Sequence, residues 1–128
     1  MLSINKVHHI AIICSDYQKS KHFYTEILGL TIVQEIFREE RESYKLDLAL
    51  NGTFIVELFS FKNAPKRVSA PEATGLRHLA FEVNNIQETR NYFTSQNINA
   101  EEIRMDIHTH KNYFFITDPD DLPIEFYE

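Results

Sequence analysis

The sequence predicts an α+β fold built from two tandem β-α-β-β-β modules that form a mixed, partly closed sheet. A segment around His9 is repeated around His78, at a separation of 69 residues (78 − 9), with the same order of small, apolar and polar positions. Each copy is followed by one helical pattern and then by three strand patterns. Each module ends on an apolar strand that contains a single glutamate, Glu57 or Glu125. Because a fixed internal period indicates duplicated units, the two halves are expected to share one architecture.

Composition and charge limit the class of protein. The 128 residues are enough for one domain with a real core. The net charge is −6 and the basic residues are scattered, so nucleic-acid binding has no electrostatic support. The N-terminus lacks a signal-peptide pattern, and no apolar run is long enough to span a bilayer. The single cysteine, Cys14, excludes an internal disulfide and fits a reducing cytoplasm. We therefore expect a cytoplasmic protein that does not bind membranes.

The first module is predicted over about residues 5–60. Its elements are a strand at 7–14, a helix between Asp16 and Gly29, and strands at 30–38, 44–50 and 53–60. Asp16 is an N-cap signal, and Gly29 is typical of the position after a helix C-terminus. Asn51-Gly52 is the strongest hairpin signal in the chain.

The second module is predicted over residues 76–128, after a linker at about 61–75 that contains two prolines and no periodicity. Its elements are a strand at 77–83, a helix at 86–96 preceded by Asn84-Asn85, and strands at 101–105, 112–117 and 122–127. The modules together are predicted to form a single domain, residues 1–128.

The repeated histidine and glutamate positions carry the chemical information. The separation from His9 to Glu57 is 48 positions (57 − 9), and that from His78 to Glu125 is 47 (125 − 78). A carboxylate in an apolar strand is costly to bury unless it is paired, hydrogen-bonded or bound to a metal. If the modules pack about a pseudo-twofold axis, all four side chains converge on the concave face of the sheet, in a cavity that would bind a metal ion.

A divalent cation in that cavity would neutralise both carboxylates and fix both imidazoles. Two histidines and two glutamates suit Zn²⁺, Ni²⁺, Co²⁺, Fe²⁺ or Mn²⁺. The alternative is an architectural repeat whose four residues form an ion-paired core network. It is disfavoured because no lysine or arginine recurs beside them in both modules. The expected reaction is proton abstraction next to a carbonyl, with the metal stabilising the enediolate.

Several motifs resemble one known family over essentially the whole chain. They are His8-His9-Ile10-Ala11-Ile12, Phe23-Tyr24-Thr25-Glu26-Ile27-Leu28-Gly29, Gly75-Leu76-Arg77-His78-Leu79-Ala80-Phe81, and Asp118-Pro119-Asp120 before Glu125. The sequence resembles the vicinal oxygen chelate superfamily, which shares the fold of glyoxalase I, dioxygenases and bleomycin-resistance proteins. Within it, the chain is similar to the bacterial YaeR-like glyoxalase family proteins.

The resemblance implies a metal-dependent lyase or isomerase of the lactoylglutathione lyase kind, acting on a 2-oxoaldehyde–thiol adduct or a related 2-oxo or 2-hydroxy compound. It implies four metal ligands, His9, Glu57, His78 and Glu125, and a zinc or nickel ion. It assigns the catalytic base to Glu125, with Glu57 as its pseudo-symmetric partner. It also implies a homodimer, and the four ligands of one site come from one chain or from two.

Two departures from the family pattern bear on substrate choice and on local structure. Ile13 stands where the bacterial glyoxalase I pattern has an arginine that binds the glutathione carboxylate, and Asp121 stands where a glycine is usual. Three alternative functions stay open. They are an extradiol-type dioxygenase, a fosfomycin-type thiol transferase and a non-enzymatic protein that sequesters a small molecule such as an antibiotic. Glu57 counts against the first two, and the complete set of four ligands counts against the third.

Overall fold

The computed structural model describes residues 1–128, which divide into two compact units, Met1–Pro65 and Lys66–Glu128. The elements of the first unit are β1 (Ile10–Cys14), α1 (Tyr17–His22), β2 (Thr31–Arg38), β3 (Ser43–Leu50) and β4 (Thr53–Ser60). Those of the second are β5 (Leu79–Glu82), α2 (Ile86–Ser95), β6 (Arg104–Met105), β7 (Asn112–Thr117) and β8 (Pro123–Tyr127). Neither helix has the length and apolar character that crossing a membrane requires.

Each unit contains its own four-stranded mixed sheet. The strand order is β1-β4-β3-β2 in the first and β5-β8-β7-β6 in the second. The first strand of each unit pairs in parallel with the last, and the remaining pairs are antiparallel. The predicted α+β class and the tandem β-α-β-β-β order are therefore confirmed. The strands make two separate open sheets, and neither sheet is closed.

One face of each sheet is packed into a hydrophobic core. In the first unit, alternate residues of β3 and β4 are completely buried: Leu46, Leu48, Val56 and Leu58. In the second, the buried residues of β7 and β8 are Phe114, Ile116, Ile124 and Phe126. Because strand side chains alternate between faces, the residues between these core positions all point to the opposite face.

Local signals place both the starts and the ends of the two helical segments correctly. The Asp16 side chain accepts a hydrogen bond from the Lys19 backbone N–H, as an N-cap does, and Asn85 does the same for α2. The first segment changes type in its second half: α1 ends at His22 and a π-helical turn continues over Phe23–Ile27. Gly29 then follows with φ of 76°, as predicted for the residue after a helix C-terminus.

The strand boundaries differ from the prediction at two places. The first strand begins at Ile10 rather than at residue 7, since its pairing with β4 starts only at Val56. The strand predicted at 101–105 shrinks to Arg104–Met105, which forms only two pairs with β7.

A polar cluster connects α1 to the edge strand β2. The Tyr17 hydroxyl donates a hydrogen bond to Glu35, and the Lys21 Nζ lies 2.6 Å from Glu35 Oε2. The hydrogen bond from Lys21 holds the pKa of Glu35 below its usual range, and burial raises the pKa of Tyr17. The cluster thus holds the helix against the sheet through a charged carboxylate.

The turn before β8 explains why a glycine is usual at position 121. The Asp118 Oδ1 accepts hydrogen bonds from the backbone N–H groups of Asp120 (2.8 Å) and Leu122 (2.9 Å). Asp121 has φ of 65°, in the left-handed region that L residues rarely occupy. Aspartate tolerates this conformation better than most residues, so the turn keeps its form without glycine.

We predict that Asp121→Gly is more stable than Asp121→Ala by about 1 kcal/mol in free energy of unfolding, because only alanine has a Cβ that clashes at this φ. Urea denaturation of both variants measures the difference. Asp120→Gly is the control in the same turn and gains nothing, since Asp120 has no positive φ to relieve. Equal stabilities for Asp121→Gly and Asp121→Ala would contradict the strain argument.

Candidate functional site

The predicted histidine and glutamate of each unit lie on adjacent parallel strands. His9 and His78 directly precede β1 and β5, while Glu57 and Glu125 lie within β4 and β8. Ala11 is the Cα partner of Glu57, and Ala80 is the Cα partner of Glu125. The repeated alanine therefore leaves the space beside each carboxylate clear of a bulky neighbour.

In the first unit, His9 and Glu57 form a pair. Their closest atoms, His9 Nε2 and Glu57 Oε2, are 3.8 Å apart. The glutamate side chain is 16% exposed, which makes it a largely buried carboxylate on the face away from the core. The His9 ring is stacked on Phe54 with a centroid distance of 4.9 Å. The imidazole is thus held flat with Nε2 towards the carboxylate.

His8 restrains the other nitrogen of His9. The two Nδ1 atoms are 2.8 Å apart, which is hydrogen-bonding distance for one protonated and one unprotonated nitrogen. This contact engages His9 Nδ1 and leaves Nε2 free. Strand alternation alone would direct His8 to the face opposite His9. Because the regular strand starts only at Ile10, that alternation does not extend to His8.

A lysine lies beside the first carboxylate. Lys45 Nζ is 2.8 Å from Asp47 Oδ1, 2.9 Å from Asp47 Oδ2 and 3.4 Å from Glu57 Oε2. The hydrogen bond to Asp47 raises the pKa of Lys45, so its ammonium stays charged. The expectation that the carboxylates lack a cationic partner is therefore wrong for Glu57. Alternation along β3 permits Lys45 to lie on this face, but its pairing with Glu57 depends on the register between β3 and β4.

In the second unit, His78 and Glu125 form a closer pair. His78 Nε2 lies 2.9 Å from Glu125 Oε2, and the glutamate side chain is 15% exposed. The His78 ring meets Phe115 edge to face at a centroid distance of 5.2 Å, and its Nδ1 lies 3.4 Å from Arg77 Nη1. The same ring nitrogen, Nε2, therefore faces the glutamate in both units.

The two units differ in what borders the glutamate from the neighbouring antiparallel strand. The Cα partner of Glu57 on β3 is Asp47, whereas the Cα partner of Glu125 on β7 is Phe115. Two positions earlier, β3 has Lys45 and β7 has Tyr113. Glu57 is thus bordered by charged groups and Glu125 by aromatic rings.

The structure brings the predicted residues together as two pairs, one in each unit. It contains no group of three or more His, Cys, Asp or Glu side chains arranged to hold a metal ion. The donors in each pair are an imidazole nitrogen and a carboxylate oxygen, which are the ligand types that Zn²⁺, Ni²⁺ and Mn²⁺ accept. The remaining histidines, His22, His108 and His110, are exposed.

The sequence matches the family model described as the glyoxalase/bleomycin resistance protein/dioxygenase superfamily over residues 6–126. It is 53% identical to the uncharacterized protein YaeR of Escherichia coli over 128 residues, which cover 100% of this chain and 99% of that protein. It is also 53% identical to the uncharacterized protein YwkD of Bacillus subtilis over 125 residues, covering 98% of each.

Solved structures agree with this assignment. The fold is similar to that of a glyoxalase family protein from Enterococcus faecalis, with a TM-score of 0.90 and 44% identity over 96% of this chain and 97% of that one. The fosfomycin resistance protein FosX of Listeria monocytogenes, whose mutant structure contains Mn(II), shares the fold at 16% identity and a TM-score of 0.74, over 98% of this chain and 93% of that one. The chain belongs to the glyoxalase/bleomycin resistance protein/dioxygenase superfamily, also called the vicinal oxygen chelate superfamily.

Proposed function

We propose that the protein is a metal-dependent, glyoxalase I-like lyase or isomerase that moves a proton next to the carbonyl of a small 2-oxo or 2-hydroxy compound. Its metal ion would be held by His9, Glu57, His78 and Glu125, supplied by one chain or by two chains of a homodimer. The cytoplasm is the proposed location, since the single cysteine fits a reducing compartment.

The observation that carries the proposal is the chemical equivalence of the two pairs. In each unit the Nε2 of a histidine faces a largely buried glutamate oxygen, at 3.8 Å in the first and 2.9 Å in the second. Neutral imidazoles cannot compensate the charge of two carboxylates, and a divalent cation can. If the four residues formed only an ion-paired core network, Lys45 would balance the charge of Glu57. Glu125 has no such ammonium beside it and is paired with His78.

When bound, the metal ion would act as a Lewis acid on a substrate oxygen and so acidify the adjacent C–H bond. The protein groups supply the remaining chemistry. Glu125 would accept the proton from one substrate carbon and return it to the next. Its carboxylate is bordered by Phe115 and the His78 ring, which limit the access of water to the proton in transfer.

Glu57 would have the more passive role of the two glutamates. One of its oxygens already lies 3.4 Å from the Lys45 ammonium, which holds that oxygen in place. A carboxylate positioned in this way by a lysine would serve as a fixed ligand. The base is assigned to Glu125, as the family resemblance implies.

We predict one tightly bound transition-metal ion per chain, because each set of four ligands needs two histidines and two glutamates. His78→Ala is expected to lose this metal, since a methyl group cannot coordinate. Elemental analysis of protein purified without chelators measures the metal content, and His22→Ala, which changes an exposed helical histidine, is the control. A wild-type protein without divalent metal would refute the proposed function.

We predict that Glu125→Gln keeps the metal but lowers the turnover number by about 10²–10⁴-fold, the usual effect of losing a general base. The amide oxygen still coordinates a metal ion, whereas it cannot accept the substrate proton. Metal content and rate are measured together, after screening 2-oxoaldehydes with different thiols has identified a substrate. Glu88→Gln on α2 is the control. Full activity of metal-loaded Glu125→Gln would exclude Glu125 as the base.

We predict poor turnover of the methylglyoxal–glutathione adduct, because Ile13 provides no charge for the glutathione carboxylate. Ile13 is 55% exposed and is the Cα partner of Phe59, so an arginine introduced there has room to extend. Steady-state kinetics should show a lower KM for this adduct in Ile13→Arg than in the wild type. Efficient wild-type turnover at a low KM would show that another residue binds the carboxylate.

A further inference from the structure

The residue that precedes the site histidine differs between the two units. His8 and Arg77 occupy the same position of the repeat, since they are 69 residues apart (77 − 8), as His9 and His78 are. Each lies against the Nδ1 atom of the histidine that follows it. The His8 Nδ1 is 2.8 Å from that of His9, and the Arg77 Nη1 is 3.4 Å from that of His78. An imidazole therefore borders one ring and a guanidinium borders the other.

The guanidinium determines which nitrogen of His78 carries the proton. Arginine has five N–H donors and no acceptor, so the His78 Nδ1 that Arg77 contacts must be the unprotonated, accepting nitrogen. The proton of the neutral ring then lies on Nε2, which is 2.9 Å from Glu125 Oε2 and donates a hydrogen bond to it. His78 thus accepts from Arg77 and donates to Glu125, and both of its nitrogens have partners.

Metal ligation through Nε2 requires the opposite tautomer. A histidine that coordinates by Nε2 carries its proton on Nδ1 and donates it to an acceptor. Arg77 cannot accept that proton, whereas His8 can, because a neutral imidazole has one accepting nitrogen. The His9 Nε2, at 3.8 Å from Glu57, is also outside hydrogen-bonding distance. His9 can therefore coordinate without rearrangement, whereas the proton of His78 must first move from Nε2 to Nδ1.

The side chain of Arg77 has an alternative partner within reach. Its Nη2 lies 3.5 Å from Glu72 Oε1, and because the arginine side chain is 60% exposed, neither contact holds it tightly. Arg77 and Glu72 both line a cavity of about 70 Å³, which leaves the guanidinium space to move. The backbone is held in place, since Arg67 Nη2 donates a hydrogen bond to the Arg77 carbonyl oxygen at 2.8 Å. Movement is therefore confined to the side chain.

We propose that Arg77 is a positioning residue that holds His78 as the Nε2–H tautomer, paired with Glu125, in the metal-free protein. When a metal ion binds, the guanidinium leaves Nδ1 and moves to Glu72. Arg77 thereby lowers the metal affinity of the site, because binding must reverse the tautomer and break both hydrogen bonds of the ring. The inference rests on the proposed function in one respect, that His78 is a metal ligand. The tautomer of the metal-free ring is independent of it.

The first test measures the tautomer directly. Long-range ¹H–¹⁵N spectra of the full-length, metal-free protein are recorded at about pH 8, where free imidazole is neutral, and the signals lost in His78→Gln are those of His78. We expect Nε2–H in the wild type and also in Glu125→Gln, because Arg77 remains. In the double variant of Glu125→Gln and Arg77→Gln, both neighbours can donate or accept, so a mixture of tautomers is expected. The exposed His22 is the internal control and does not change.

The second test measures the dissociation constant for Zn²⁺ by competition with a chelator. Arg77→Gln provides an acceptor for Nδ1–H and is expected to bind Zn²⁺ roughly ten-fold more tightly than the wild type, as partners of metal-bound histidines do. Arg77→Met is equally uncharged but has no strong acceptor, so it should bind several-fold more weakly than Arg77→Gln. Arg104→Gln, which removes an exposed arginine from the same unit, controls for net charge and should change the affinity less than about two-fold.

Three results would overturn the proposal. They are an Nδ1–H tautomer of His78 in the metal-free wild type, loss of the Nε2–H tautomer in Glu125→Gln, and equal Zn²⁺ affinities for Arg77→Gln and Arg77→Met. Failure of the proposed function has a different signature. A wild type that binds no Zn²⁺ refutes the metal site, while the tautomer measurement still decides the role of Arg77. Tight Zn²⁺ binding by a protein whose His78 already has the Nδ1–H form refutes this inference alone.

Discussion

The alternation of side chains along the last strand of each unit is the constraint on which the candidate site depends. In β8, Ile124 and Phe126 are buried in the core, so the residue between them, Glu125, must point to the other face. Val56 and Leu58 impose the same direction on Glu57. A shift of one residue would place each carboxylate in the core, where an unpaired charge is prohibitively costly. The hydrophobic core therefore orients the polar residues that it excludes.

The duplication preserves geometry and lets the chemistry of the two halves differ. In both units a histidine Nε2 faces a glutamate, and an alanine occupies the neighbouring strand position. The antiparallel neighbour strand is where they differ, because Asp47 borders Glu57 and Phe115 borders Glu125. A pair of related carboxylates acquires separate roles when one is held by an ammonium and the other is bordered by aromatic rings.

Much of the fold followed from local patterns. The apolar alternation of β3, β4, β7 and β8 identified these strands, and Asp16 and Asn85 marked the helix starts because capping is a short-range interaction. The prediction fails at positions whose burial depends on the register with a neighbouring strand. The register shift between Leu48 and Ala49 buries Ala49 and leaves Leu50 37% exposed, against the simple alternation. A bulge of this kind depends on the partner strand and has no signal in its own sequence.

The sequence by itself determined the repeat, the two histidine–glutamate pairs and the face on which each carboxylate lies, because these depend on periodicity within single segments. Tertiary structure alone decided that Lys45 borders Glu57 and that the Arg38 guanidinium lies over Phe59 with its Nε unsatisfied. Periodicity assigns a side chain to a face and does not say which side chain of the next strand lies opposite. That assignment requires the register between strands, which hairpins, bulges and core packing set together.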